Sequence, residues 1–160
     1  MANQFGDPGQ HRLRQGRVSL PGQPYLLTTV THRRQPLFAN LWTARIVVNS
    51  LRHYHEHGRI HSLAYVLMPD HLHWLLKLRE GESLSAIMRT VKAYSARQIE
   101  GLGHEGPIWQ KGFHDRALRK EEDLLTAARY LVANPLRAGL AQTIGEYPHW
   151  DAVWLGEDGG

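Results

Sequence analysis

The segment VLMPDHLHWLLKL, residues 66–78, is nearly all apolar, yet it carries two histidines, His71 and His73, two positions apart. Pro69-Asp70 breaks or bends the chain. The flanking runs RIHSLAYVLM (59–68) and HLHWLLKL (71–78) therefore read as two strands, hairpin partners or one strand that bends. On a strand, positions i and i+2 face the same side. His71 and His73 thus point together, their Cα atoms roughly 6.6 Å apart. Leu72 and Trp74 point the other way, into whatever covers the opposite face.

The neighbouring segments extend this reading. PYLLTTVTHR (24–33) is β-branched and aromatic and reads as a strand. Asn40 is placed to cap a helix from about 41 to 57, which Gly58 ends. Ser83 caps a second helix, with Leu84, Ile87, Met88 and Val91 at helical spacing, running to about Glu100. Gly101, Gly103 and Gly106-Pro107 form a loop, and IWQKGFHDRALR (108–119) reads as a strand interrupted near Gly112. KEEDLLTAARYLVAN (120–134) is a closing helix with acids in its first turn, stopped at Asn134-Pro135. The order is that of an α+β, ferredoxin-like β-α-β-β-α-β antiparallel sheet, with helices on one face and a C-terminal helical extension. One domain is expected over 23–150, between a basic arm at 1–22 and an acidic tail at 151–160.

The 160 residues include no cysteine, which excludes disulfides and thiolate metal sites. No apolar run approaches the ~20 residues that cross a bilayer, and the N-terminus lacks the apolar stretch of a secretory signal. The expectation is a cytoplasmic protein without a membrane partner. The net charge of +4 is unevenly spread. Residues 1–34 hold Arg12, Arg14, Arg17, Arg33 and Arg34 against Asp7 alone, whereas residues 140–160 hold four acids and no Lys or Arg. A basic arm and middle would attract a polyanion such as nucleic acid, and a solvated Arg-rich surface accounts for the same charge equally well.

Two imidazoles on one strand face can share a metal ion, although an isolated H-x-H is more often a pair of hydrogen-bonded core-edge histidines. The cluster HYHEH (53–57) is a contrast, because at a helix end i and i+2 diverge by about 200°. On the second helix, Tyr94 and Gln98 are i and i+4 and share a face. Gln98 offers an amide oxygen of the kind that suits Mg²⁺ or Mn²⁺, and Tyr94 a phenol able to act as a nucleophile. Ordinary packing and surface exposure are the alternatives for these two. Lys92 is one candidate for taking the phenol's proton.

The set resembles the HUH (His-hydrophobic-His) endonuclease superfamily, and within it the IS200-like single-tyrosine transposases of the REP-associated branch. AYVLMPDHLHWLL (64–76) resembles the histidine signature of that family, and AYSARQ (93–98) its tyrosine helix. GPIWQKGFHDRALRKEEDLLTAARYLVANPLRAGL (106–140) is similar to the distal block of the REP-associated branch. The resemblance covers roughly residues 20–150. It implies single-stranded DNA cleavage beside a REP-like hairpin through a 5′-phosphotyrosine intermediate, with Mg²⁺ or Mn²⁺. It maps His71, His73 and Gln98 to the metal and Tyr94 to the nucleophile. Position 70 is Asp where many relatives have Asn. The C-terminal segment points to a monomer, with a helix-swapped dimer as the alternative.

DNA contacts are expected from Arg12, Arg14, Arg17, Arg33, Arg34, Lys111, Arg116 and Arg119. Trp109 and Phe113 are candidates for base stacking, with core packing the favoured reading of Trp109. Arg137 in NPLRAG is expected to cap the preceding helix or pair with an acid. The competing function is a domesticated protein that binds a DNA or RNA hairpin without cutting it.

Overall fold

Pro69 and Asp70 form the turn of a β-hairpin that lies at the centre of the sheet. The computed structural model describes residue 20 and residues 22–153. In chain order the elements are β1 (Pro24–Val30), α1 (Leu41–Glu56), β2 (Ile60–Met68), β3 (His71–Leu78), α2 (Leu84–Gly101), β4 (His114–Ala117), α3 (Glu121–Val132), α4 (Asn134–Arg137) and β5 (Trp150–Ala152). All strand pairings are antiparallel, in the order β4-β1-β3-β2-β5. This is the expected ferredoxin-like α+β sheet with one strand added at the β2 edge. The expected 108–119 strand is shorter, because only His114–Ala117 forms a ladder and Trp109 makes an isolated bridge to Thr31. At the other end the sheet runs past residue 150. Asp151 and Ala152 pair with Tyr65 and Ala64, so the acidic tail expected from 151 begins inside the sheet.

Local chemistry sets the helix ends. Asn40 Oδ1 accepts hydrogen bonds from the backbone N–H groups of Trp42 (2.8 Å) and Thr43 (3.4 Å), and Ser83 Oγ accepts from Ala86 N–H at 3.1 Å. Each satisfies a donor that the first helical turn leaves without an intrahelical partner. Gly58 leaves α1 at φ +72°, a conformation that a side chain would strain. We expect Asn40→Ala to lower the unfolding free energy by about 1 kcal/mol, read as a shift in the urea midpoint at constant slope; an unmoved midpoint would mean that α1 does not depend on this cap.

The two faces of the sheet are both covered, by different helices. Leu72, Trp74, Leu76 and Leu78 of β3 pack with Tyr25 and Leu27 beneath α1 and α2. α1 contributes Ala44, Val47 and Leu51, and α2 contributes Leu84, Ile87, Met88, Val91 and Ile99. Trp74 is fully buried, and its Nε1 donates to Ser62 Oγ at 2.9 Å. On the reverse face, Leu75, Ala64, Val66 and Met68 pack against Leu124, Ala127, Ala128, Leu131 and Val132 of α3. The C-terminal extension is therefore the third layer of the domain. Strand alternation then places His71 and His73 with Leu75, on the face beneath α3.

Candidate active site on the histidine face

His71 and His73 lie between cross-strand neighbours of β1 and β2. His71 is opposite Val30 and Met68, and His73 is opposite Thr28 and Val66. Their ring centroids are 4.7 Å apart, with the planes nearly perpendicular. Each ring is held at Nδ1. His71 Nδ1 donates to Asp70 Oδ1 at 2.7 Å, and Thr28 Oγ1 lies 2.9 Å from His73 Nδ1. A neutral imidazole with its proton on Nδ1 presents a lone pair at Nε2, the arrangement that orients a metal-binding histidine. Burial, with smaller contributions from the charges of His71 and Arg137, pushes the His73 pKa down to about 4. His73 is therefore neutral at pH 7, with a lone pair to offer.

A charged network continues outward from His71. Asp70 also accepts from Arg34 Nη1 at 3.2 Å. Burial pushes the Asp70 carboxyl upward, but the hydrogen bonds and charges of His71 and Arg34 outweigh it and hold the group below its ordinary range. Asp70 thus acts through the ring it anchors. Arg33 and Arg34 both occupy left-handed backbone, at φ 54°, and both are exposed. The segment carrying Lys111 docks at the same end of β1, through Gln110 N–H to Val30 O and His32 N–H to Ile108 O. Lys111, Arg116 and Arg119 are exposed, and Arg116 pairs with Leu26, whose side chain joins the α3-side core. Arg12, Arg14 and Arg17 lie outside the described residues.

Tyr94 and Gln98 are not at this site. α2 beds Ile87, Met88, Val91, Ser95 and Ile99 against the opposite side of the sheet, and both residues are exposed on its solvent side. The sheet and the helix lie between the Tyr94 hydroxyl and the histidines. α2 also buries its apolar stripe in its own chain, so no exchange of that helix is needed to complete the core. The stacking candidates are core residues. Phe113 is buried, and Trp109 packs on Phe38 and donates through Nε1 to Ser95 Oγ at 2.9 Å. Lys92 is bound to the carbonyls of Gln110 and Gly112 on the α2 side, which removes it as a proton acceptor beside the histidines. In the HYHEH cluster, His57 stacks on His53 at 4.0 Å while His55 turns toward His61 at 5.5 Å, as the divergence of helical positions requires.

Among the described residues, the exposed tyrosine on the histidine side of the sheet is Tyr130, whereas Tyr147 on that side is buried. Tyr130 lies on α3, the helix covering the histidines, beside the buried stripe of Ala127 and Leu131, and is 66% exposed. Arg137 holds it from one side. The guanidinium sits 3.7 Å from the Tyr130 ring centroid, and Nη2 donates to Tyr130 O at 2.7 Å. The same guanidinium is near enough to His73 to depress its basicity. Asn134 follows one turn after Tyr130. Ala133 between the two short helices keeps helical dihedrals (φ −82°, ψ −4°), so Tyr130 and Asn134 retain i,i+4 neighbourhood across the junction. Arg137 thus caps the preceding helix, one of its two expected roles.

Among the described residues, no three of His, Cys, Asp and Glu converge as a metal cluster. The donors that the structure brings together at this face are two imidazoles. Gln98 lies on the other side of the sheet and is not among them, and Asn134 stands one turn after Tyr130. The two anchored Nδ1 atoms make the histidine pair fit for a divalent ion.

A family model described as transposase IS200-like matches residues 22–134. The chain belongs to the IS200-like transposase family. Two curated relatives fall in one branch of it. A Haemophilus influenzae protein classed with the REP-associated tyrosine transposases is 27% identical over 105 residues, covering 59% of this chain and 60% of the relative. The REP-associated tyrosine transposase of Escherichia coli K12 is 29% identical over 86 residues, covering 53% and 50%. The chain thus aligns with about half to three fifths of the length of these relatives. Among solved structures, a REP-associated tyrosine transposase bound to a REP hairpin superposes with a TM-score of 0.72 at 20% identity, covering 84% of this chain and 79% of that one. A Deinococcus radiodurans R1 protein described as a transposase gives a TM-score of 0.52 at 18% identity, covering 71% and 92%. At these identities the structural matches establish the shared fold. Among the described residues of this IS200-like chain, no helix is long and apolar enough to cross a membrane.

Proposed function

We propose that this chain is a metal-dependent DNA strand transferase that cuts single-stranded DNA beside a hairpin, with Tyr130 as nucleophile. The observation that carries this reading is the layer order: α3, the helix that carries Tyr130, packs on the sheet face to which His71 and His73 belong. The Tyr130 hydroxyl attacks phosphorus, forming a phosphotyrosine bond as the bond to the 3′ oxygen breaks. The phenol proton passes to water, and the 3′ oxygen leaves as a hydroxyl by taking up a proton from water. The 5′ phosphate remains on the protein, so the energy of the broken bond is kept and a free 3′-hydroxyl can reverse the step.

His71, His73 and Asn134 are the residues that would hold the divalent ion. When bound, Mg²⁺ or Mn²⁺ supplies a Lewis acid for the phosphodiester oxygens. Arg33, Arg34 and Lys111 sit at the His71 end of the sheet and suit phosphate tracking, with Arg116 and Arg119 along the β4 edge. Arg12, Arg14 and Arg17 belong to the same proposal as an arm on the hairpin stem. The name of the hairpin-bound structural neighbour supports a hairpin as the partner. A nucleophile and histidine pair supplied by one chain make a monomer sufficient.

The test is incubation with single-stranded hairpin DNA and Mn²⁺, followed by denaturing electrophoresis. We expect a protein–DNA adduct that survives denaturation. Tight hairpin binding with no adduct under any divalent ion would leave the domesticated binding protein as the better reading.

A further inference from the structure

Arg137 is used by the fold in a way that leaves most of its chemistry over. One donor goes to the carbonyl of Tyr130, which caps the last turn of α3. A cap needs only that one bond. The ion pairs among the described residues join Arg34 or His71 to Asp70 and Arg59 to Glu82, and none involves Arg137. Its side chain is exposed. A guanidinium carries five donors in a planar fork that matches phosphate oxygens. Among the described residues Arg137 is therefore a cation without a carboxylate partner, lying on the face of an exposed phenol at the end of the helix that covers the histidine face. Stacking of the guanidinium on the ring also restricts the ring's rotation, which fixes where the hydroxyl points.

We propose that Arg137 is a positioning and phosphate-binding residue for strand cleavage: its guanidinium sets the Tyr130 ring in the attacking orientation and grips the phosphate that ring attacks. This rests on Tyr130 being the nucleophile. The phosphate gains negative charge on its outer oxygens during displacement, and a fixed guanidinium stabilises that charge more than it stabilises the bound substrate. One side chain would then serve both the aim of the nucleophile and the charge of the transition state. Its anchor on Tyr130 O keeps the two in register, because the fork cannot shift without the helix end that carries the tyrosine.

The experiment compares Arg137→Ala, Arg137→Gln, Arg137→Lys and Tyr130→Phe in the full chain. Single-turnover adduct formation is followed on hairpin DNA with Mn²⁺, alongside hairpin affinity and thermal melting. For Arg137→Ala we expect the rate at saturating DNA to fall about 100-fold, with affinity changed by no more than about 3-fold. Lysine keeps the charge without the fork and should recover about 10-fold of that loss. Glutamine keeps a donor for the Tyr130 carbonyl without the charge, and should behave like alanine. Full rate in Arg137→Gln, or a loss confined to affinity or melting, overturns the proposal and leaves Arg137 as a helix cap. An adduct that persists in Tyr130→Phe overturns both this inference and the nucleophile assignment. Loss in Tyr130→Phe with an unaffected Arg137→Ala overturns the inference alone.

Discussion

Tyr130→Phe is expected to remove the covalent protein–DNA adduct entirely, and Tyr94→Phe to leave it at its full level. Loss of a nucleophile costs at least about 10³-fold in rate, and the other tyrosine packed on that face among the described residues, Tyr147, is buried with its hydroxyl donating to Leu67 O. The contrast is sharp because the two tyrosines are alike in sequence. Each sits on a helix with an amide four residues on, Gln98 after Tyr94 and Asn134 after Tyr130, and each is exposed, at 44% and 66%. They differ in which layer of the domain carries them. Phenylalanine keeps the ring that Arg137 covers and should preserve fold and hairpin affinity. Parallel melting and binding measurements check that. An adduct in Tyr130→Phe that disappears in Tyr94→Phe would return the nucleophile to α2 and require a second subunit to bring it to the histidines.

The fold was readable because its signals are local. The hairpin follows from Pro69-Asp70, the caps from Asn40 and Ser83, and the strand–helix order from hydrophobic spacing. The histidine pair was readable for the same reason, since i and i+2 alternation needs no tertiary information. The proposed nucleophile required knowing which helix covers which face, and that is a long-range property. The clue was nevertheless present. Leu72, Trp74, Leu76 and Leu78 form the more apolar face of β3, and in a β-α-β-β-α-β order the two crossover helices share one side of the sheet. They take the leucine–tryptophan side, which leaves the histidines to the amphipathic helix at 121–132. The stripe Leu124, Ala127, Ala128 and Leu131 would then have drawn attention to Tyr130 at its border. Trp109 and Phe113 show the same limit from the other side, because only packing distinguishes a stacking aromatic from a core one.

His73→Ala is expected to abolish adduct formation while the protein still folds and binds its hairpin. The ring is half-buried and, among the described residues, its polar tie is to Thr28. Losing that hydrogen bond costs about 1 kcal/mol of stability, far less than what removing one of two imidazoles does to a divalent site. Thr28→Val separates orientation from ligation. Valine has the same branched shape but cannot accept from Nδ1, so the imidazole stays and its aim and tautomer are released. The Mn²⁺ concentration giving half-maximal rate should then rise about 10- to 100-fold, with the maximal rate approached at high metal. For His73→Ala, raising Mn²⁺ should restore nothing. The order of effects, none recovered for the ligand and most recovered for its anchor, is what metal chemistry at this face requires. A His73→Ala protein that forms adduct at the normal rate, or an unaltered protein that does so in excess EDTA, would remove the ion from the mechanism and leave the imidazoles as acid–base groups beside Tyr130.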